Sequence, residues 1–429
     1  MRVSKLTPRS RQGGRAGARM MWAAVPCLLF SAPAVADCCA DLEDRVAELE
    51  STVATKGNRK VSLTVSGRVS HQVTWWDDGE ESNAYVTGAG APTHFKFTGS
   101  AQIHPGWSAG YILQIEMYGP QRYQLSQDDS QGVGPDLYLW QSAWHVNSKD
   151  FGRLTVGKQS HASDDTALAV DASGSLGPAN WVLHDGSGFF ALVNGVRTGF
   201  KWNGIAYCHH IGGGFGADCN GATTNSVRYD TPTIGGFVFS ASWGEDDFWD
   251  VAVRYAQSAG DFKIGAAAAY SKNTGRRAWL PAGPSRESGY FQAGLYLEHV
   301  PTGLFAHAAY GHEENDHLTA GGNDVLDNDT LYLKAGLRKR WFGIGATVLY
   351  AEYGNHSDML NEALRDGGAT GSNLDRYGFG VVQEIDAAAM SVWLKYRRNE
   401  GEISNLGGAA GVTKLDDLEF IGSGATLNF

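Results

Sequence analysis

Residues 60–75 alternate with a two-residue period. Val61, Leu63, Val65, Val69, Val73 and Trp75 take odd positions, while Ser62, Thr64, Ser66, Arg68, Ser70, Gln72 and Thr74 take even ones. Neighbouring side chains of a strand point to opposite faces, so this run predicts a strand with one apolar and one polar face. Its length of about fifteen residues exceeds the roughly five to six usual in soluble proteins. It suits a tilted strand that crosses a bilayer in about nine to eleven residues and continues beyond it.

The same pattern recurs to the C-terminus. Phe95, Phe97, Ala101 and Ile103 oppose Lys96, Thr98, Ser100 and Gln102; after a His104-Pro105-Gly106-Trp107 turn, Ala109, Tyr111, Leu113, Ile115 and Met117 oppose Ser108, Gly110, Gln114 and Glu116. Runs at 137–147 and 152–159 follow. Residues 160–224 break the rhythm, with a local hairpin predicted at 189–202, and it resumes at Val227. Later apolar sets include Phe291/Ala293/Leu295/Leu297, Phe342/Ile344/Ala346/Val348/Tyr350 and, last, Ile421/Ala425/Leu427/Phe429. The count is sixteen strands. Short connections (104–107, 148–151, 232–236, 257–261, 300–303, 339–341, 386–388) alternate with long ones (77–93, 119–136, 160–224, 272–288, 312–329, 353–375, 399–413), apart from the brief 244–248. The predicted fold is all-β, a 16-stranded antiparallel transmembrane β-barrel, since an even strand number with short turns at one end and long loops at the other is its signature. Closure leaves no unpaired edge and satisfies every backbone group within lipid. Aromatics at strand ends (Trp107, Trp243, Trp249, Tyr255, Tyr270, Tyr310, Tyr350, Tyr396) supply an interfacial girdle.

Ahead of the strands lies a leader. Arg9, Arg11, Arg15 and Arg19 precede the short apolar stretch 20–30, and Ala34-Val35-Ala36 fits a cleavage site, making 1–36 a signal peptide. Leu42, Val46, Leu49 and Val53 then recur at coiled-coil spacing, so 37–58 is predicted as a short periplasmic helical segment and hinge before the barrel, 59–429. So short a helix is marginal alone.

Composition agrees with a barrel. Glycine numbers 56, charged residues are 19%, and no run of eighteen apolar residues exists to make a membrane helix. Six of the 35 basic residues fall in the leader, leaving 29 against 46 acidic groups, about −17. That balance excludes nucleic acid as a partner. The polar parity carries Arg68, Lys96, Glu116, Arg228, Asp230, Asp250, Arg254, Lys334, Lys395 and Arg397. Mixed charges make a poor protein core but suit the water-filled lumen of a sixteen-stranded barrel. Cys208 and Cys219 bracket a glycine-rich stretch, and an oxidising compartment favours their pairing. The alternative, a metal site from Cys208, His209, His210 and Cys219, matches no standard zinc spacing, so neither metal nor cofactor is expected.

Four segments, in order, carry a resemblance. Gly152-Arg-Leu-Thr-Val-Gly-Lys-Gln159 resembles the strand entering the constriction loop of trimeric general porins of Gram-negative outer membranes, and Val227-Arg-Tyr-Asp-Thr-Pro232 resembles the strand leaving it. Gly424-Ala-Thr-Leu-Asn-Phe429 is similar to the terminal outer-membrane signature. Asp37-Cys-Cys-Ala-Asp-Leu-Glu with Asn58-Arg-Lys-Val-Ser-Leu-Thr-Val-Ser-Gly67 is similar to alphaproteobacterial porins. The resemblance implies that 160–224 folds inward and narrows the lumen, with Asp164, Asp165, Asp171 and Asp185 facing Arg68, Lys96, Arg228 and Arg254 across the passage. It also implies a homotrimer in outer-membrane lipid and lipopolysaccharide, with Phe429 ending the strand read by the assembly machinery.

Gly106-Trp-Ser-Ala-Gly110 has Gly-x-Ser-x-Gly spacing but lies at a predicted turn between two strands, not at a strand-to-helix elbow. No His-Glu-x-x-His motif occurs, and no enzyme is expected. The expected function is passive, mildly cation-selective diffusion of small hydrophilic solutes. A solute-selective channel with a site in the long loop, or a non-channel adhesin or envelope anchor, are the alternatives.

Overall fold

The computed structural model describes residues 60–90, 92–117, 119, 125–132, 137–180, 185–210, 219–220, 223–274 and 287–429. The expected signal peptide and helical segment lie outside them. Among the described residues, eighteen strands join in one sheet, and a separate two-stranded hairpin stands apart. The sheet closes where Arg68–Asp77 pairs antiparallel with Glu419–Asn428.

Two strands are each interrupted once. Ser82–Gly88 and Thr93–His104 both pair with Thr64–Asp77, so they form one broken strand. Val412–Lys414 and Leu418–Asn428 likewise both pair with Met390–Ser404. The eighteen strands therefore make sixteen staves. The predicted long connection at 77–93 is corrected: a turn at 78–81 leads straight into Ser82–Gly88. Glycines at 88 and 90 and a proline at 92 hid that strand, because they spoil its alternation. The 399–413 connection also shortens, since its preceding strand runs on to Ser404.

Register confirms which face is which. Val69 is 47% exposed and Trp75 46%, whereas Ser70, Gln72 and Thr74 between them are buried. Outward side chains on other staves include Leu139, Trp144, Phe239, Trp243, Leu295, Leu333, Phe379 and Leu394, all exposed. Such a continuous apolar exterior is what a bilayer covers. One strand departs from prediction. In Gly345–Ser357, Ala346, Val348 and Tyr350 are buried and point inward, while Leu349 is exposed. Tyr350 is therefore not a girdle residue. The register slips between Lys339 and Phe342 at the preceding turn, and the inward apolar groups meet Val170 and Ala179 of the long inner segment.

Candidate functional site

The 160–224 segment enters the barrel, and its described residues follow the inner wall in sequence order. Near its start, the His161 ring meets Asp250 at 2.7 Å and Ser163 Oγ donates to the same carboxylate oxygen at 2.7 Å. Arg254 donates to the Ala162 carbonyl at 2.5 Å and to Thr166 at 3.0 Å. Gln292 bridges the backbone of Ser163 and Ala167, each at 2.8 Å. Close approach here needs a glycine: a β-carbon on Gly294 would sit 2.5 Å from the Ala167 oxygen. Further on, Arg376 donates to the Asn180 carbonyl at 2.7 Å.

Two ion-pair knots fix the middle. Lys334 Nζ reaches Asp171 at 2.5 Å, Ser175 at 3.0 Å and the Ala179 carbonyl at 3.1 Å, satisfying its three donors. Both charged side chains are 0% exposed. Asp185 accepts from Lys395 at 2.6 Å and from Arg397 at 2.7 Å, and Arg397 also grips Glu352 at 2.7 Å. Tyr332 donates to that Glu352 at 2.6 Å. Beyond them, Phe189 packs edge-on against Trp76 and Phe420. The predicted hairpin is present as Phe190–Val193 and Val196–Lys201, and Cys208 is joined to Cys219 in a disulfide.

The expected carboxylates thus part company. Asp171 and Asp185 meet Lys334, Lys395 and Arg397 rather than Arg68, Lys96, Arg228 or Arg254. Burial opposes the ionised form of Asp171, but the Lys334 ammonium, His307 and the hydrogen bonds from Lys334 and Ser173 together outweigh it and hold the carboxyl below its usual range. Asp164 is buried, takes a hydrogen bond from Ser160, and leaves its other oxygen unsatisfied. Burial, reinforced by neighbouring Asp165, pushes its pKa up to about 7. Asp165 is exposed, with a left-handed φ of 52°. Arg228 pairs with Asp230 at 2.8 Å and holds the Ser160 and His161 carbonyls, each at 3.0 Å. Arg68 donates to the Pro92 carbonyl at 3.0 Å. Lys96 faces inward in register with Ser66 and Gln114.

The inner segment leaves one arc of wall less covered. There His94, Lys96, His145 and Arg153 are only half-buried, whereas Lys334, Glu352, Arg376, Lys395 and Arg397 on the covered arc are buried. The identity of the covering partners escaped sequence reasoning. Parity places those side chains inside but carries no information on which loop residue each meets.

The sequence profile of Gram-negative porins matches residues 22–415. The chain is a member of the Gram-negative porin family. Its barrel places it as a multi-pass protein of the outer membrane, where such porins form channels. No curated protein matches the sequence significantly. Among solved structures the porin resembles an anion-selective porin from Comamonas acidovorans, at 15% identity over 86% of this chain and 100% of that one, with a TM-score of 0.56. It also resembles the trimer form of Vibrio cholerae OmpT (14% identity, 86% and 99% covered, TM-score 0.52) and Pseudomonas putida OprB (10%, 91% and 97%, 0.52). These likenesses concern the fold.

Proposed function

We propose that this porin is a homotrimeric channel for passive diffusion of small hydrophilic solutes, with a modest preference for anions. One observation carries the charge assignment. The half-covered arc presents Arg68, Lys96 and Arg153 against the buried acid Glu116, with Arg228 and Arg254 beside the arc where the segment enters, while Asp171 and Asp185 are bound to buried cations of the opposite wall. Asp230 answers Arg228, and Asp164 is only partly ionised near neutrality. A narrow, low-dielectric passage focuses the field of its nearest charges, so this basic arc outweighs the acidic outer loops. The expectation of cation preference rested on loop carboxylates facing the passage, and this disposition favours the opposite sign. Solved relatives that include a trimer form and an anion-selective porin support the reading, as does the exposed apolar exterior. Lipopolysaccharide around the outer rim, and delivery to the assembly machinery through the strand ending at Phe429, belong to the same proposal.

The test is the reversal potential of single channels under a potassium chloride gradient. The expected sign is that of chloride preference, moving toward potassium in the Arg68→Gln/Lys96→Gln variant. A potassium-selective potential in the unmodified porin overturns the charge assignment, and a silent bilayer overturns the channel.

A further inference from the structure

We infer that His209, His317 and Glu362 form a binding site for a divalent transition-metal ion that ties together three segments outside the barrel wall. One nitrogen from each histidine and one carboxylate oxygen lie within 4.8 Å of one another. His209 is buried and the other two are half-buried. The imidazole rings stand edge-on at 5.6 Å between centroids.

The tautomers favour coordination. His209 Nε2 faces the Leu360 carbonyl at 2.9 Å, and His317 Nδ1 faces the Glu287 carbonyl at 3.2 Å. A carbonyl only accepts, so in each neutral ring the N–H sits on that nitrogen and the lone pair on the other. Metal-binding histidines are commonly oriented by such a carbonyl. Two imidazoles and a carboxylate, with a remaining position for water, suit zinc and its borderline neighbours copper and nickel. Calcium and magnesium, which take oxygen donors, fit poorly.

The three side chains are also held in place by their backbones. Gly204 accepts from the Asn361 N–H at 2.8 Å and Met359 from the Tyr207 N–H at 3.0 Å, which ties the 358–370 connection to the chain leading into His209. The disulfide begins at the adjacent Cys208. Asp366 accepts from the Gly321 N–H at 2.8 Å and from Asn323 at 2.9 Å, while Arg365 donates to the Asp324 carbonyl at 2.8 Å. These bonds tie 358–370 to the connection that carries His317. Glu362 opens a short helix, Glu362–Asp366, whose start is fixed by the Asn361 side chain accepting from Leu364 at 2.9 Å. Ligands positioned before the ion arrives lower the cost of binding it. The neighbouring residues do something else: Cys208 and Cys219 bond each other, and His210 turns to Ser271 and Ser288, each at 2.8 Å.

The test is isothermal titration of the detergent-solubilised full chain with zinc chloride after chelator treatment. Saturable binding of one zinc per chain is expected, weakened about tenfold or more by His317→Ala and by Glu362→Gln. Heat-modified migration on a gel verifies that each variant retains its barrel. Cobalt substituted for zinc should give an X-ray absorption spectrum with two imidazole ligands in the unmodified chain and one in His317→Ala. Absence of saturable binding, or unchanged affinity in the folded His317→Ala/Glu362→Gln double variant, overturns the site. Neither result bears on conductance, so this proposal and the channel fail separately.

Discussion

At the scale of single residues, burial decides what each charge does. Arg397 lies between Asp185 and Glu352 and is itself buried. Truncating it removes the ion-pair bond of Glu352 and leaves Asp185 bonded to Lys395 as its remaining cation, in a dry site. Breaking such a buried pair costs about 3–5 kcal/mol, so Arg397→Ala should lower the thermal midpoint far more than Arg340→Ala, whose exposed bridge to Asp386 is worth about 0–1 kcal/mol. Parallel melts by circular dichroism check this. Asp164 makes the opposite case. Its pKa rises to about 7, so its folded form gains protons, and stability, as pH falls below 8. The gain is complete near the ordinary carboxylate value. From pH 8 to pH 5 this one group contributes about 2–3 kcal/mol in favour of the folded state. Asp164→Asn should lose that part of the pH dependence in melts at the two pH values. If both proteins show the same change, Asp164 is ionised throughout. Asp171 has the reverse sign: its depressed pKa supports docking above the normal carboxylate range, and the support is lost only as pH falls through the lower folded value.

At the scale of elements, parity is the testable quantity. Leu113 and Gln114 are adjacent in Trp107–Met117, yet Gln114 is buried inside beside Glu116, at 2.9 Å, and Leu113 points out. Leu113→Arg should reduce folding into vesicles by about 2–4 kcal/mol if it meets the bilayer middle. Gln114→Arg should be tolerated, and equal effects would break the assignment. Alternation made nearly all the staves legible in the sequence, because a lipid-facing side and a wet side impose opposite residue types at every second position. It failed in Gly345–Ser357, where the inward side is apolar as well. There Val348 and Tyr350 pack with Val170 and Ala179, so the inner segment supplies locally what lipid supplies outside. Alternation also failed in Ser82–Gly88, where Tyr85 lies on the inward side and the glycines and proline that follow mask the run. The site was legible only in part. The resemblance to porins marked Asp171 and Asp185 as inner carboxylates, but their partners lie more than 150 residues away, and local pattern holds no information at that range.

At the scale of the whole molecule, the inner segment acts as a strut. Its contacts run from Asp250 on one strand to Gln72, which reaches Asp185 at 3.4 Å beside the barrel seam. Staves far apart in the sheet are thereby tied through the lumen, and two buried knots, at Lys334 and at Arg397, hold the middle. This placement separates two roles that the sequence alone left joined. Were Asp171 and Asp185 open to the passage, neutralising both would change selectivity and nothing else, because their charge would act only on passing ions. Bound as they are, neutralising both releases the segment and uncovers Lys334, Lys395 and Arg397 together. Asp171→Asn/Asp185→Asn channels should therefore show a larger mean conductance, more frequent brief closures as the loosened segment moves, and a stronger shift of reversal potential toward chloride than Asp165→Asn, which removes an exposed charge with no docking partner among those cations. Single-channel recording at fixed salt reads all three. Unaltered conductance and closure frequency, with selectivity alone displaced, would mean that these carboxylates face the passage and that the segment is held by its remaining hydrogen bonds.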